Sequence, residues 1–191
     1  VKTFYDGTYW WAVYMKSGTA NTLFYAYSTN FSSWTESSVA LDGTDTQDGG
    51  SIDLYFMVSA MVVIVSYRHT VGNANGYRYM RGNISGTTIT WSANTPYIVS
   101  YAGNASDEFQ TSLTLDSNNK VWGAASDNSG NPQVLYSDNV LSTSFLDSWA
   151  NGAGTTWNTA GTLAGTGAYR YRSFLANVGS GSMLYVFNET N

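Results

Sequence analysis

Two acidic side chains, Asp53 and Glu108, have the chemistry that glycoside hydrolysis requires. That reaction takes one carboxyl group as acid and a second as base or nucleophile, roughly 5–9.5 Å apart across a sugar. The alternative is that they are ordinary members of a set of thirteen acids. Arg170 and Arg172 stand two positions apart, alternating with Tyr169 and Tyr171. On one strand both guanidinium groups face one side and both phenols the other. Guanidinium forks hold carboxylates bidentately, so the pair is a candidate anion clamp. Cation–π packing at a sheet surface is the competing reading.

Other residue types could bind without reacting. Asp42, Asp45 and Asp48 recur every third residue before Gly49-Gly50. Three carboxylates in a glycine-containing loop can wrap Ca²⁺, which takes six to eight oxygens, although the spacing is not that of an EF-hand. A solvated acidic connector is the plain alternative, and no other cofactor is expected. Tyr25, Tyr27, Tyr77 and Tyr79 offer flat faces to the apolar C–H side of a sugar, or equally to a neighbouring sheet. Sequons at Asn30, Asn83, Asn104 and Asn188 would accept N-glycans in an extracellular setting. His69 stands alone, which removes every mechanism and metal site needing two imidazoles, and it is assigned no role.

Composition narrows the partners. With no cysteine there is no disulfide, thiolate nucleophile or thiolate metal site. Only 11% of the 191 residues are charged, and the net charge is −5 without a Lys/Arg cluster, so no nucleic-acid partner is expected. The longest apolar stretch, Met57 to Val65, is about half of the roughly 20 residues that a spanning helix needs, so no membrane span is expected. At 43% apolar and 16% aromatic the chain can fold around one core. The start Val1-Lys2-Thr3 reads as a processed or excised segment, compatible with an extracellular or cell-surface protein.

The elements that must position these residues are strands. Thr8 to Tyr14, Leu23 to Tyr27, Val62 to Tyr67 and Met183 to Phe187 are short β-branched and aromatic runs bounded by Gly, Asn, Asp or Ser. Helical periodicity is lacking. Tight turns at Asp6-Gly7, Val58-Ser59-Ala60, Ser117-Asn118-Asn119 and Gly179 to Ser182 each precede a hydrophobic strand. After the first three come a polar loop, a Tyr-rich strand and a short segment closing with Trp34, Trp91 or Trp157. Further strand candidates precede the turns: Lys2 to Tyr5, Ser51 to Phe56, Phe109 to Leu115 and Tyr169 to Ala176.

Repeated four-stranded antiparallel units predict an all-β β-propeller, because one such sheet cannot bury both faces alone. The blades are expected at 1–36, 50–92 and 107–158, with a partial blade at 169–191, about three and a half in a single domain. An open final blade leaves an edge that a longer chain, or a neighbouring copy through self-assembly, would cover. Innermost strands line a propeller's channel, which selects Lys2, Asp53, Asp107, Glu108, Gln110, Arg170 and Arg172 as channel candidates. The three tryptophans are expected to be equivalent structural residues.

The runs Phe4 to Trp11, Leu23 to Thr29 and Ser32-Ser33-Trp34-Thr35 resemble a blade of the sialidase-like (BNR-repeat) propeller superfamily. So do Gly50 to Asp53, Tyr77 to Gly82 and Thr88 to Ser92. The resemblance lies in strand grammar over most of the chain. Its Asp-box, Ser-x-Asp-x-Gly-x-Thr-Trp, is kept at Ser28 to Thr35 only in its Ser and Trp, with Asn30 in place of the Asp. As the resemblance implies, sialidases clamp a substrate carboxylate with arginines, which would here be Arg170 and Arg172, and use a Tyr/Glu pair with an Asp acid/base. The altered Asp-box points away from a true sialidase. The expected function is therefore an extracellular, non-catalytic β-propeller module for carbohydrate binding or a cell-surface or assembly role, with a glycan or surface protein as its partner. The alternatives are an exo-glycosidase of sialidase type and a structural subunit of a filament or virion surface.

Overall fold

The computed structural model describes residues 1–16, 22–40, 52–71, 74–91, 97–101, 109–110, 112–126, 132–140, 157–162, 170–179 and 182–190. Among them the chain is all-β, with sixteen strands, one 3₁₀ turn at Val58–Ala60 and no α-helix. No helix among the described residues is long and apolar enough to cross a membrane. Sheet 1 contains β1 (Lys2–Tyr5), β2 (Trp10–Tyr14), β3 (Thr22–Ser28) and β4 (Thr35–Ala40), antiparallel and in chain order.

Sheet 2 repeats that order with β5 (Ile52–Met57), β6 (Val62–Val71), β7 (Ala74–Ser85) and β8 (Thr88–Trp91). A fifth strand, β9 (Tyr97–Tyr101), pairs with Asn75 to Tyr79 of β7, while β8 takes Gly82 to Ser85 of the same strand. The run Phe109 to Leu115, expected as one strand, is two: β10 (Phe109–Gln110) and β11 (Ser112–Leu115). Sheet 3 contains β11, β12 (Lys120–Ser126), β13 (Pro132–Val140) and β14 (Trp157–Thr162). Sheet 4 joins β10 in parallel to β15 (Arg170–Gly179), which pairs antiparallel with β16 (Ser182–Thr190).

In sheets 1 to 3 the first and second strands, and in sheet 4 β15 and β16, meet at one of the four expected turns, and at or beside each turn is a residue in the left-handed region: Gly7, Met61, Asn119 and Gly179. Gly7, at φ 103°, lies where side chains are rarely tolerated. Trp34, Trp91 and Trp157 are not equivalent, contrary to expectation. Trp34 precedes β4, Trp91 ends β8 and Trp157 opens β14.

Packing explains why β6 lacks alternation. Val62 to Tyr67 are all buried, because sheet 2 is covered on both faces. Toward sheet 1, Val63, Val65, Tyr67, Met80 and Ile84 form one core with Phe4, Trp11, Val13, Leu23 and Tyr25. Phe56 stacks on Phe4 at 4.6 Å between ring centroids, and Trp91 meets Tyr25 edge-on at 5.9 Å. Toward sheet 3, the Tyr79 hydroxyl fills the space where a side chain at Gly123 would begin. The first strands of sheets 1 to 3 adjoin in the order β1, β5, β11, and β11 in turn adjoins β15, the middle strand of sheet 4.

Candidate functional site

Asp53 sits where three of those first strands meet. Its Oδ1 lies 2.9 Å from the ammonium of Lys2 on β1. Its Oδ2 accepts the backbone N–H of Leu113 on β11 at 2.8 Å. Both oxygens of this 15%-exposed carboxylate are thus engaged, which gives Asp53 the geometry of a cross-sheet tie. Glu108, its expected partner, and Asp107 lie outside the described residues. So do Asp42, Asp45, Asp48 and Asn104. Among the described residues no group of three or more acidic or histidine side chains could hold a metal ion.

Arg170 and Arg172 occupy alternate positions of β15, opposite Thr190 and Asn188 of β16, and Gln110 of β10 pairs with Arg172. Tyr77 is a β7 position between Arg68 and Val99. Tyr25 and Tyr79, considered as ligand platforms, are buried: their rings are consumed by packing between sheets 1 and 2 and between sheets 2 and 3. Tyr27 is half-buried against Tyr9 and Trp11. Asn83 falls inside β7, paired with Val62 and Thr90. Arg81, which sequence reading passed over, is fully buried on β7, and desolvation holds its pKa below the usual arginine value.

Two Asp–Trp clasps recur at the first hairpins. Asp6 Oδ1 accepts the N–H groups of Thr8 and Tyr9, both at 2.7 Å, and its Oδ2 accepts the Trp11 indole N–H at 2.6 Å. Asp116 likewise accepts Asn118 and Lys120 at 2.8 and 2.9 Å and the Trp122 indole at 3.0 Å. An Asp followed five or six residues later by Trp across a tight turn was the available signal. The segment Ser28 to Trp34, compared above with an Asp-box, also forms a turn. Asn30 Oδ1 accepts Ser32 and Ser33 N–H at 3.0 and 3.2 Å, and Ser28 Oγ accepts Asn30 and Phe31 N–H at 3.2 and 2.9 Å. An amide oxygen accepts these bonds as a carboxylate oxygen would.

These two turns build an exposed aromatic ledge at one end of sheet 1. Tyr5 and Trp10 lie 4.6 Å apart, Trp10 and Phe31 4.4 Å, and Phe31 and Trp34 5.9 Å in an edge-on corner of 67°. Tyr5, Phe31 and Trp34 are 45%, 54% and 38% exposed, so the cluster faces solvent. Local hydrogen bonds fix its rings: Tyr5 donates to the Gly7 carbonyl at 2.8 Å and Trp34 to the Phe31 carbonyl at 3.1 Å. Phe31 holds φ 62°, a conformation that costs a non-glycine residue about 1–3 kcal/mol and that clusters at functional sites.

Farther along the same face, Tyr14 donates to Glu36, whose other oxygen receives Lys16 at 2.6 Å. Lys16 also lies 4.2 Å from the Phe24 ring centroid. Desolvation, then the hydrogen bond and charge of Glu36, push the Tyr14 pKa from 10.0 to about 12. Lys16 and then Tyr14 hold Glu36 below its ordinary value. A raised phenol pKa favours the fold below the unfolded value of 10.0, and that contribution is lost as pH rises through about 12. The depressed Glu36 works in reverse, its contribution being lost as acid drops pH through its folded pKa. Subtracting the tyrosinate titration of Tyr14→Phe from that of the wild type should isolate one group ionising near pH 12, and Glu36→Gln should bring it back toward 10.0. A Tyr14 that ionises normally in the wild type would show that the pair does not form. No family model and no curated protein matches the chain.

Proposed function

We propose that this chain is a non-catalytic, carbohydrate-binding module of the sialidase-like β-propeller kind, acting at the outside of the cell. The observation that carries the reading is the ledge of Tyr5, Trp10, Phe31 and Trp34, which is solvent-facing, locally tied and held partly by a strained backbone. Flat aromatic faces stack on the apolar C–H side of sugar rings, and rings already fixed in place lose little entropy on binding. The adjoining first strands and the covered faces of sheet 2 support the propeller arrangement. The engagement of both Asp53 oxygens supports the non-catalytic assignment.

A glycan array followed by calorimetry tests this. Trp34→Ala should weaken binding about three- to tenfold, the equivalent of one lost aromatic contact. Phe31→Gly is the sharper variant, because glycine accepts the left-handed backbone while the ring disappears. Its thermal midpoint should hold or rise while glycan binding falls. Retained binding in both variants would remove the ledge from the site.

A further inference from the structure

We infer that the ledge takes an uncharged glycan and rejects acidic ones. This rests on the carbohydrate-binding reading of the same residues. Residues 1–40 contain only four charged side chains, Lys2, Asp6, Lys16 and Glu36. Each is already engaged. Lys2 is drawn to Asp53, and its strand position is in register with Val13 and Tyr25, which point into the core between sheets 1 and 2. Asp6 lies beside the ledge but receives three donors, two backbone N–H groups and the Trp11 indole. Lys16 and Glu36 pair with each other at the far end of the face. Tyr14, which joins them, is four residues along β2 from Trp10, about 13 Å away at the rise of a strand.

Among the described side chains of sheet 1 the ledge therefore has no unengaged cation with which to hold a carboxylate, sulfate or phosphate, in a chain whose net charge of −5 repels anions. What it does have is ring faces and neutral polar groups. The edge-on corner of Phe31 and Trp34 offers one face and one wall to a single pyranose. Asn30, Ser32 and Ser33, all exposed at its rim, can exchange hydrogen bonds with hydroxyls. Sugars whose ring substituents are equatorial, with flat C–H surfaces on both sides, suit such a corner. Binding driven by stacking and neutral hydrogen bonds is nearly independent of ionic strength, unlike binding through charges.

The probes are hexasaccharides of β-1,4-linked glucose and of β-1,4-linked N-acetylglucosamine, set against hyaluronan and oligosialic acid of similar length. They are titrated at low and high salt into the whole chain, its Trp34→Ala variant and its Phe31→Gly variant. The neutral oligomers should bind with affinities that change less than about twofold with salt. Both variants should weaken that binding, Trp34→Ala by about three- to tenfold, with their circular dichroism unchanged. Acidic oligomers binding as tightly as neutral ones, or an affinity that collapses in salt, would overturn the inference while leaving the ledge a glycan site. If no oligomer binds, or binding ignores both variants, the carbohydrate reading itself fails and takes this inference with it. The same holds if sedimentation finds a dimer that Trp34→Ala dissolves, because the ledge would then be a surface for a second copy.

Discussion

Trp11→Ala should lower unfolding free energy by about 3–5 kcal/mol, the range for deleting a large aromatic from a packed core. Trp11 has no solvent exposure and is the largest fully buried side chain in the described core. Its ring stacks with Phe4 at 6.1 Å and touches Tyr9, Tyr25 and Tyr27. Its indole N–H also closes the Asp6 clasp at 2.6 Å, so the substitution empties a cavity and loosens the first hairpin together. Trp11→Phe separates the two effects. It keeps most of the packing and loses the indole bond, and the half-exposed Asp6 can recruit water in its place. That variant should lose only about 1–2 kcal/mol. Urea midpoints at constant m-value measure both. A loss below about 1 kcal/mol for Trp11→Ala would mean that sheet 1 is not packed on sheet 2.

The same residue shows how far the sequence could be read. Alternation and turn chemistry are local, so β1 and the four first-hairpin turns follow directly from residue order. Covering is not local. The order of residues around Trp34, Trp91 and Trp157 looks alike, yet Trp91 packs on Tyr25 while Trp34 stays exposed. Which of them is buried depends on which face a neighbouring sheet covers. Phe109 to Leu115 likewise has uniform strand propensity, but its two halves pair with different sheets, a choice made by long-range contacts. Asp53 was legible as an acid on a first strand. Its engagement by Lys2 and Leu113 required knowing that positions 2, 53 and 113 converge. The ledge went unread because Tyr5, Trp10, Phe31 and Trp34 belong to two turns that only strand pairing brings to one end of sheet 1.

Gly123→Val should destabilise the protein by about 2–3 kcal/mol, at the upper end of the usual cost of overpacking. A Cβ at this position of β12 would lie 2.6 Å from the Tyr79 hydroxyl oxygen and 3.2 Å from the ring carbon that bears it. Tyr79 is itself only 1% exposed on β7, so neither residue can move aside into solvent. Gly123→Ala gives a milder clash suited to a double-mutant cycle with Tyr79→Phe. Deleting the hydroxyl removes the atom of closest approach, and the alanine should then be tolerated better in the phenylalanine background by about 0.5–2 kcal/mol. Additive effects would show that sheets 2 and 3 do not meet at this point. Positions 79 and 123 lie in separate sheets and pair with no common strand, so coupling between them reports face-to-face stacking alone. The coupling therefore tests the stacking of sheet 2 on sheet 3, which the propeller reading requires, independently of whether any sugar binds.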